Sequence, residues 1–161
     1  MARTKQQKKD IIEKLEKIVD GAQSLVFVNF HGLKVSDATA MRRALTASKV
    51  GFFVAKKSLT NRVLESKKYD GSIPVLAGEI GLAYGTDVVA PARGVFEFQK
   101  KFKDQVSIQG GVFEKKYMTK DEMVAIASIP PIETLYGMFA NIINSPIQGL
   151  VLALNEISKK K

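Results

Sequence analysis

The sequence predicts an α/β fold: a mixed sheet covered by helices, followed by a projecting C-terminal helix. Three observations carry that expectation. Segments with helical spacing of apolar residues alternate with short β-rich runs from residue 5 to about residue 128, as in a sheet layered with helices. Pro130-Pro131 then ends the alternation, because proline keeps the residue before it out of helical backbone. Beyond it, 15 of the 26 residues from 132 to 157 are apolar, and a helix apolar over so much of its circumference must be buried on more than one side. The chain thus divides into an α/β domain over residues 1–131 and a helical segment over 132–161.

Each element has its own signal. Ile11, Ile12, Leu15, Ile18 and Val19 fall on one face of a helix over 5–20, which Asp20-Gly21 closes. Ser24 to Phe30 (SLVFVNF) is a strand bounded by a turn at His31-Gly32. Ser36 reads as the N-cap of a helix running to about Ser48, with Met41, Ala44 and Leu45 buried. Val50 to Ala55 is the next strand, and Ser58 the cap of a short helix that turns Leu59, Val63 and Leu64 inward. A third strand lies within Val75 to Tyr84, and Thr86-Asp87 can cap a helix reaching about Phe102. Pro91 suits its first turn, where a missing N–H costs least. Val106 to Phe113 is a fourth strand with a bulge signal at Gly110-Gly111. Thr119-x-x-Glu122 is a capping box that opens a helix ending before Ile129-Pro130-Pro131.

Pro146 should kink or restart the C-terminal helix with Ser145 as cap, giving modules over about 132–144 and 146–158. Three destinations are open to its apolar surface: its own domain, a membrane, or partner helices. Asn141, Asn144, Ser145, Pro146 and Gln148 interrupt a membrane span, and the polar face lacks the Lys and Arg of an interfacial helix. Partner helices are the favoured destination.

Charge separates the same two regions. The chain carries a net +9 on 161 residues, with no cysteine and one histidine. Residues 1–70 hold 15 Lys+Arg against 7 Asp+Glu, residues 71–131 hold 7 of each, and Glu133 and Glu156 are the only charges over 132–158. Clustered Lys and Arg release counterions from phosphates on docking, so the first 70 residues should meet a polyanion. Without cysteine there is no disulfide, thiolate nucleophile or thiolate metal site. His31 alone supports neither a His-rich metal site nor a serine–histidine triad. Gly78, Gly81 and Gly85 match neither the dinucleotide nor the P-loop pattern, and Asp104, Asp121 and Glu122 read as loop and helix-end charges. No enzyme, cofactor, metal or small-molecule substrate is expected. The polar, basic start is no secretory signal, so a cytoplasmic protein is expected.

The densest basic stretch is Arg42, Arg43, Lys49, Lys56, Lys57, Arg62, Lys67 and Lys68. Lys56-Lys57-Ser58 stands where a strand passes into a helix, and a helix N-terminus offers free N–H groups to a phosphate. Arg62, one turn on, can reach the same side. Arg3, Lys5, Lys8 and Lys9 precede any acidic residue and can form an arm on RNA, or a solvated helix start.

Gly32-Leu33-Lys34-Val35, then Met41-Arg42-Arg43-x-Leu45 and Val54-Ala55-Lys56-Lys57-Ser58-Leu59, resemble the bacterial large-subunit ribosomal protein L-ten family, the stalk-base proteins. Gln109-Gly110-Gly111-Val112-Phe113-Glu114, Ile129-Pro130 and Gly149-Leu150-Val151-x-Ala153-Leu154-Asn155-Glu156-Ile157 continue the resemblance in the same order. It implies an N-terminal domain that binds large-subunit ribosomal RNA beside a second RNA-binding ribosomal protein. It also implies a C-terminal helix carrying dimers of the acidic stalk protein, which recruit translation GTPases. On that footing the RNA contacts are Arg3, Lys5, Lys8, Lys9, Arg42, Arg43, Lys56, Lys57, Ser58 and Arg62. The docking anchors are Leu135, Phe139, Ile142, Ile147, Leu150, Val151, Leu154 and Ile157. The family usually has Asn where Lys57 stands, and Gly78-Glu79-Ile80-Gly81 lacks its Gly-Pro. The final helix is short, with room for two dimers rather than three.

Overall fold

The structure, a computed structural model, describes residues 5–67, 69–74, 76–102 and 105–159, and Lys5 by its backbone alone. The chain divides into two compact units, Met1–Ile129 and Pro130–Lys161. In the first, α1 (Lys5–Gly21), β1 (Ser24–Phe30), α2 (Val35–Ala47), β2 (Gly51–Val54) and α3 (Lys57–Ser66) are followed by β3 (Ile80–Gly85), α4 (Ala90–Lys101), β4 (Val106–Phe113), β5 (Lys116–Met118) and α5 (Lys120–Ala127). The second holds α6 (Ile132–Lys159).

The strands form one sheet in the order β2-β3-β1-β4-β5. Every pairing is antiparallel, which corrects the expected mixed sheet. The expectation rested on the alternation of helices and strands, which does not fix strand order. β1 and β2, joined by α2, do run parallel, but β3 is inserted between them; β3 and β4, joined by α4, have β1 between them. The result is two interleaved split β-α-β units.

Alternation along β1 sets the two cores. Val26 and Val28 pack with Met41 and Leu45 of α2, Ala92 and Val95 of α4 and Met123 of α5. Leu25 and Phe27 face the other way, onto Leu15 and Val19 of α1 and Val63 and Leu64 of α3. Side chains on a strand point to opposite faces in turn, so SLVFVNF, apolar at successive positions, is a strand covered on both sides. At the bulge, Phe27 pairs with Gly110 and Val28 with Ile108, leaving Gln109 extra. Gly110 takes φ +143° there.

Several local expectations need correction. Lys34 and Lys56, not Ser36 and Ser58, are the N-cap residues of α2 and α3, and neither helix has a side-chain cap bond. Both serines lie at the second helical position. Asp87 does serve α4: its Oδ1 accepts from the N–H of Val89 (3.0 Å) and Ala90 (3.5 Å). The capping-box pair meets as expected, the Thr119 N–H and hydroxyl donating to Glu122 Oε2 at 2.8 and 2.9 Å. These bonds hold the Glu122 carboxyl below the ordinary glutamate range. β5 has no counterpart in the sequence reading. Its hairpin turns on Glu114 and Lys115 at φ 48° and 65°, a left-handed pair usually announced by Asn-Gly.

Helix α6 runs unbroken through Pro146, which corrects the two-module reading. The proline removes one N–H donor, and the long helical stretches on either side carry the helix across the missing bond. None of its residues is buried. It is also long and apolar enough to cross a membrane, by length and composition only.

Candidate nucleic-acid interface

The interleaved topology gathers distant segments at one end of the sheet. Asn29 pairs with Ile80, Phe30 with Val106 and Val54 with Gly81. The last residues of β1 and β2 therefore lie beside the first residues of β3 and β4. The starts of α2 and α3 and the end of α4 are at the same edge, since each continues or precedes one of those strands. This edge carries His31, Lys34, Lys56, Lys57, Lys100 and Lys101, all exposed.

Arg42 reaches this edge through an aromatic pair. Its guanidinium lies 5.9 Å from the centre of the Phe52 ring, a cation–π contact that fixes a long side chain while leaving its charge to solvent. Phe52 in turn meets Phe30 edge-on at 6.3 Å. The Phe52 ring lies over Gly81, where a Cβ would come within 2.4 Å of it. Glycine at 81 is thus a seat for this ring. Next to Phe30 opens a cleft of about 610 Å³, lined also by Val54, Lys56, Lys57, Ser58 and Glu79. That volume is in the usual range for a small-molecule site.

The structure divides the sequence-predicted basic residues among three places. Arg42 and Arg43 are exposed on α2, over one face of the sheet. Lys56, Lys57 and Ser58 stand at the sheet end, where α3 begins without a side-chain cap. Arg62 is exposed on α3, and Lys8 and Lys9 on α1, both helices packing on the opposite face. Arg3, Lys68 and the Lys5 side chain lie outside the described residues. Lys67 is drawn away from any such surface: it pairs with Asp20 of α1, which raises its pKa above the ordinary lysine value. Among the described residues the other ion pair is Lys17–Glu13. None of Arg42, Arg43, Lys56, Lys57 or Arg62 is tied to a carboxylate within those residues.

Sequence reading missed Phe30, Phe52, Glu79, Lys100 and Lys101. The aromatics carried a signal, since Phe52-Phe53 stand between Lys49 and Lys56-Lys57. The other three become visible only with the strand order. Among the described residues no three His, Asp or Glu side chains converge on a point that could hold a metal ion.

On α6 all eight expected anchors are exposed, from Leu135 at 40% to Ile142 at 69%. At about 100° per residue, Leu135, Phe139 and Ile142 occupy one stripe. Ile147, Leu150, Val151, Leu154 and Ile157 form a second, centred roughly a quarter-turn further round.

Fold and surface together define a small, basic α/β protein whose charged end suits a polyanion. A family model described as "Ribosomal protein L10" matches residues 3–100. The "Large ribosomal subunit protein uL10" of Bacillus licheniformis is 34% identical over 155 residues, covering 96% of this chain and 93% of that protein. Its namesake from Bacillus cereus is 33% identical over 162 residues, covering 100% and 97%. The chain belongs to the ribosomal protein L10 family, a family of structural proteins rather than enzymes.

Proposed function

We propose that the chain is a cytoplasmic component of the large ribosomal subunit. It binds ribosomal RNA at the stalk base through its first unit, beside a neighbouring ribosomal protein. It carries two dimers of the acidic stalk protein on α6, which recruit translation GTPases. What supports the reading, beyond the names of the relatives, is one contrast. The first unit presents exposed cations with no carboxylate partner among the described residues, whereas α6 presents exposed apolar stripes and almost no charge. Phosphates favour the first, and apolar helices of a partner favour the second. Each large apolar side chain fully buried at a dimer yields roughly 1.5–3 kcal/mol, so three to five anchors per stripe sustain association after ordering costs.

The test is native mass spectrometry of the full chain with the acidic stalk protein, alongside binding to a large-subunit ribosomal RNA transcript. Two dimers and salt-dependent RNA binding are expected. Loss of either activity in the wild-type chain refutes that half of the reading.

The length and apolarity of α6 favour a second reading, a basic protein held at a membrane by this helix. Asn141, Asn144 and Gln148 oppose it, because side-chain amides are costly to bury in hydrocarbon. Flotation with anionic liposomes decides: a chain that sediments with ribosomes and does not float excludes the membrane reading.

A further inference from the structure

Phosphate binding accounts for the lysines at the sheet end but not for the cleft between them. Phe30 is half-buried there and Val54 is 38% exposed, on a sheet face where Gly81 contributes no side chain. Glu79 lines the same cleft as Lys56 and Lys57. A carboxylate repels a phosphate backbone, and an aromatic ring gains little from one. A single nucleotide turned out of its strand suits all of these groups: its base stacks on an aromatic face, its edge is read by hydrogen bonds, and its phosphate meets cations. An apolar peptide side chain would cover Phe30 and leave Glu79 and both lysines without partners.

We propose that this cleft receives one unstacked RNA base, its face on Phe30, its phosphate at Lys56 and Lys57, and its Watson–Crick edge at Glu79. The proposal rests on the RNA-binding reading above and names what that surface holds. It also selects a base. A carboxylate accepts hydrogen bonds and does not donate them. Guanine alone offers two adjacent donors, N1–H and N2–H, for both carboxylate oxygens; uracil, adenine and cytosine offer one each to such an acceptor. Guanine is the preferred occupant.

The chain has no tryptophan, so Phe30→Trp places a single fluorophore in the cleft. The full chain is titrated with a labelled short oligouridine and with the same oligomer carrying one central guanosine or adenosine. Expected are quenching of the tryptophan emission and tightest binding of the guanosine oligomer. Phe30→Leu, which keeps an apolar side chain at this half-buried position and whose fold circular dichroism checks, weakens binding about tenfold with the salt dependence unchanged, as loss of one stacked base does. Glu79→Gln abolishes the guanosine preference and leaves folding, followed by circular dichroism, unaltered. RNA binding that neither quenches the fluorophore nor responds to Phe30→Leu overturns the base cleft while leaving the RNA-binding reading intact. Equal affinity for all three oligomers overturns it as well, because Glu79 then reads no edge. Absence of any RNA binding by the wild-type chain overturns both.

Discussion

Replacing Arg42, Arg43, Lys56 and Lys57 together by alanine tests the charged end most directly. All four are exposed, and none has a carboxylate partner among the described residues, so each is free to displace a counterion from RNA. Each phosphate contact contributes about 0.9 to the slope of log affinity against log salt on a duplex, and about 0.7 on a single strand. Four contacts therefore account for a slope of roughly 3.6 or 2.8 respectively. The assay is filter binding of the full chain to a large-subunit ribosomal RNA transcript across a salt series, with circular dichroism confirming the fold. Exposed cations that pack on nothing should be removable without unfolding, with one exception. Arg42 rests on Phe52, so Arg42→Gln accompanies it, keeping the stem and removing the charge. Arg62, on the opposite sheet face, should lower the slope by about 0.9 when replaced alone, because RNA that covers the sheet end reaches the first turns of α3. An unchanged slope in the fourfold variant would refute the assignment and move the RNA to α1 and the N-terminal arm.

Gly111→Ala should cost about 2–3 kcal/mol or more in urea unfolding, as overpacking does, because its Cβ would stand 2.4 Å from the Leu25 carbonyl oxygen in the neighbouring strand; wild-type stability would disprove the β1–β4 register. Thr119→Ala should lower stability by about 1 kcal/mol, the usual loss for a removed cap, read as a shifted urea midpoint. The Glu122 carboxyl has a folded pKa below its unfolded value, so its contribution is complete above the unfolded pKa and is lost as pH falls through the folded one. Glu122→Gln should therefore flatten the acid side of the stability profile, and an unaltered profile would remove this capping bond from the account. On α6, Phe139→Glu and Leu154→Glu should each reduce the stalk complement by one dimer in native mass spectrometry, and the double variant should carry none. Two dimers on the double variant would show that the stripes are not the docking surface.

What the sequence made legible follows from the range over which each signal acts. The boundaries of β1 and β4, the helix of residues 5–21 and the Thr119–Glu122 box rest on contacts within a few residues, and these are found as expected. Cap identity failed at Ser36 and Ser58 for a local reason. A serine at the second helical position looks the same in one dimension as a serine at the cap, and the decisive quantity is the backbone angle of the residue before it. Lys34 and Lys56 take extended backbone (ψ 148° and 134°) and their carbonyls start the helices. The hairpin to β5 was hidden because Glu114-Lys115 adopts a turn that favours Asn-Gly, held there by pairing on both sides rather than by propensity.

Sheet order is the non-local term, and the site depends on it. β2 and β3, joined through α3, are antiparallel neighbours. The strands joined by α2 and by α4 are parallel, as expected for helical crossovers, yet each of these two crossovers skips one position that an antiparallel strand fills. That single fact brings Phe30, Lys56 and Glu79, far apart in sequence, to one cleft, and adds Lys100 and Lys101 from a stretch whose net charge is zero. A charge count along the chain finds the basic half because like charges cluster there locally. It cannot find the cleft, whose aromatic wall, cations and carboxylate come from three strand ends that meet only when β3 is inserted between β1 and β2. The family's large-scale role is therefore readable from composition and motif order, while the chemistry that would read an individual base is a property of the topology.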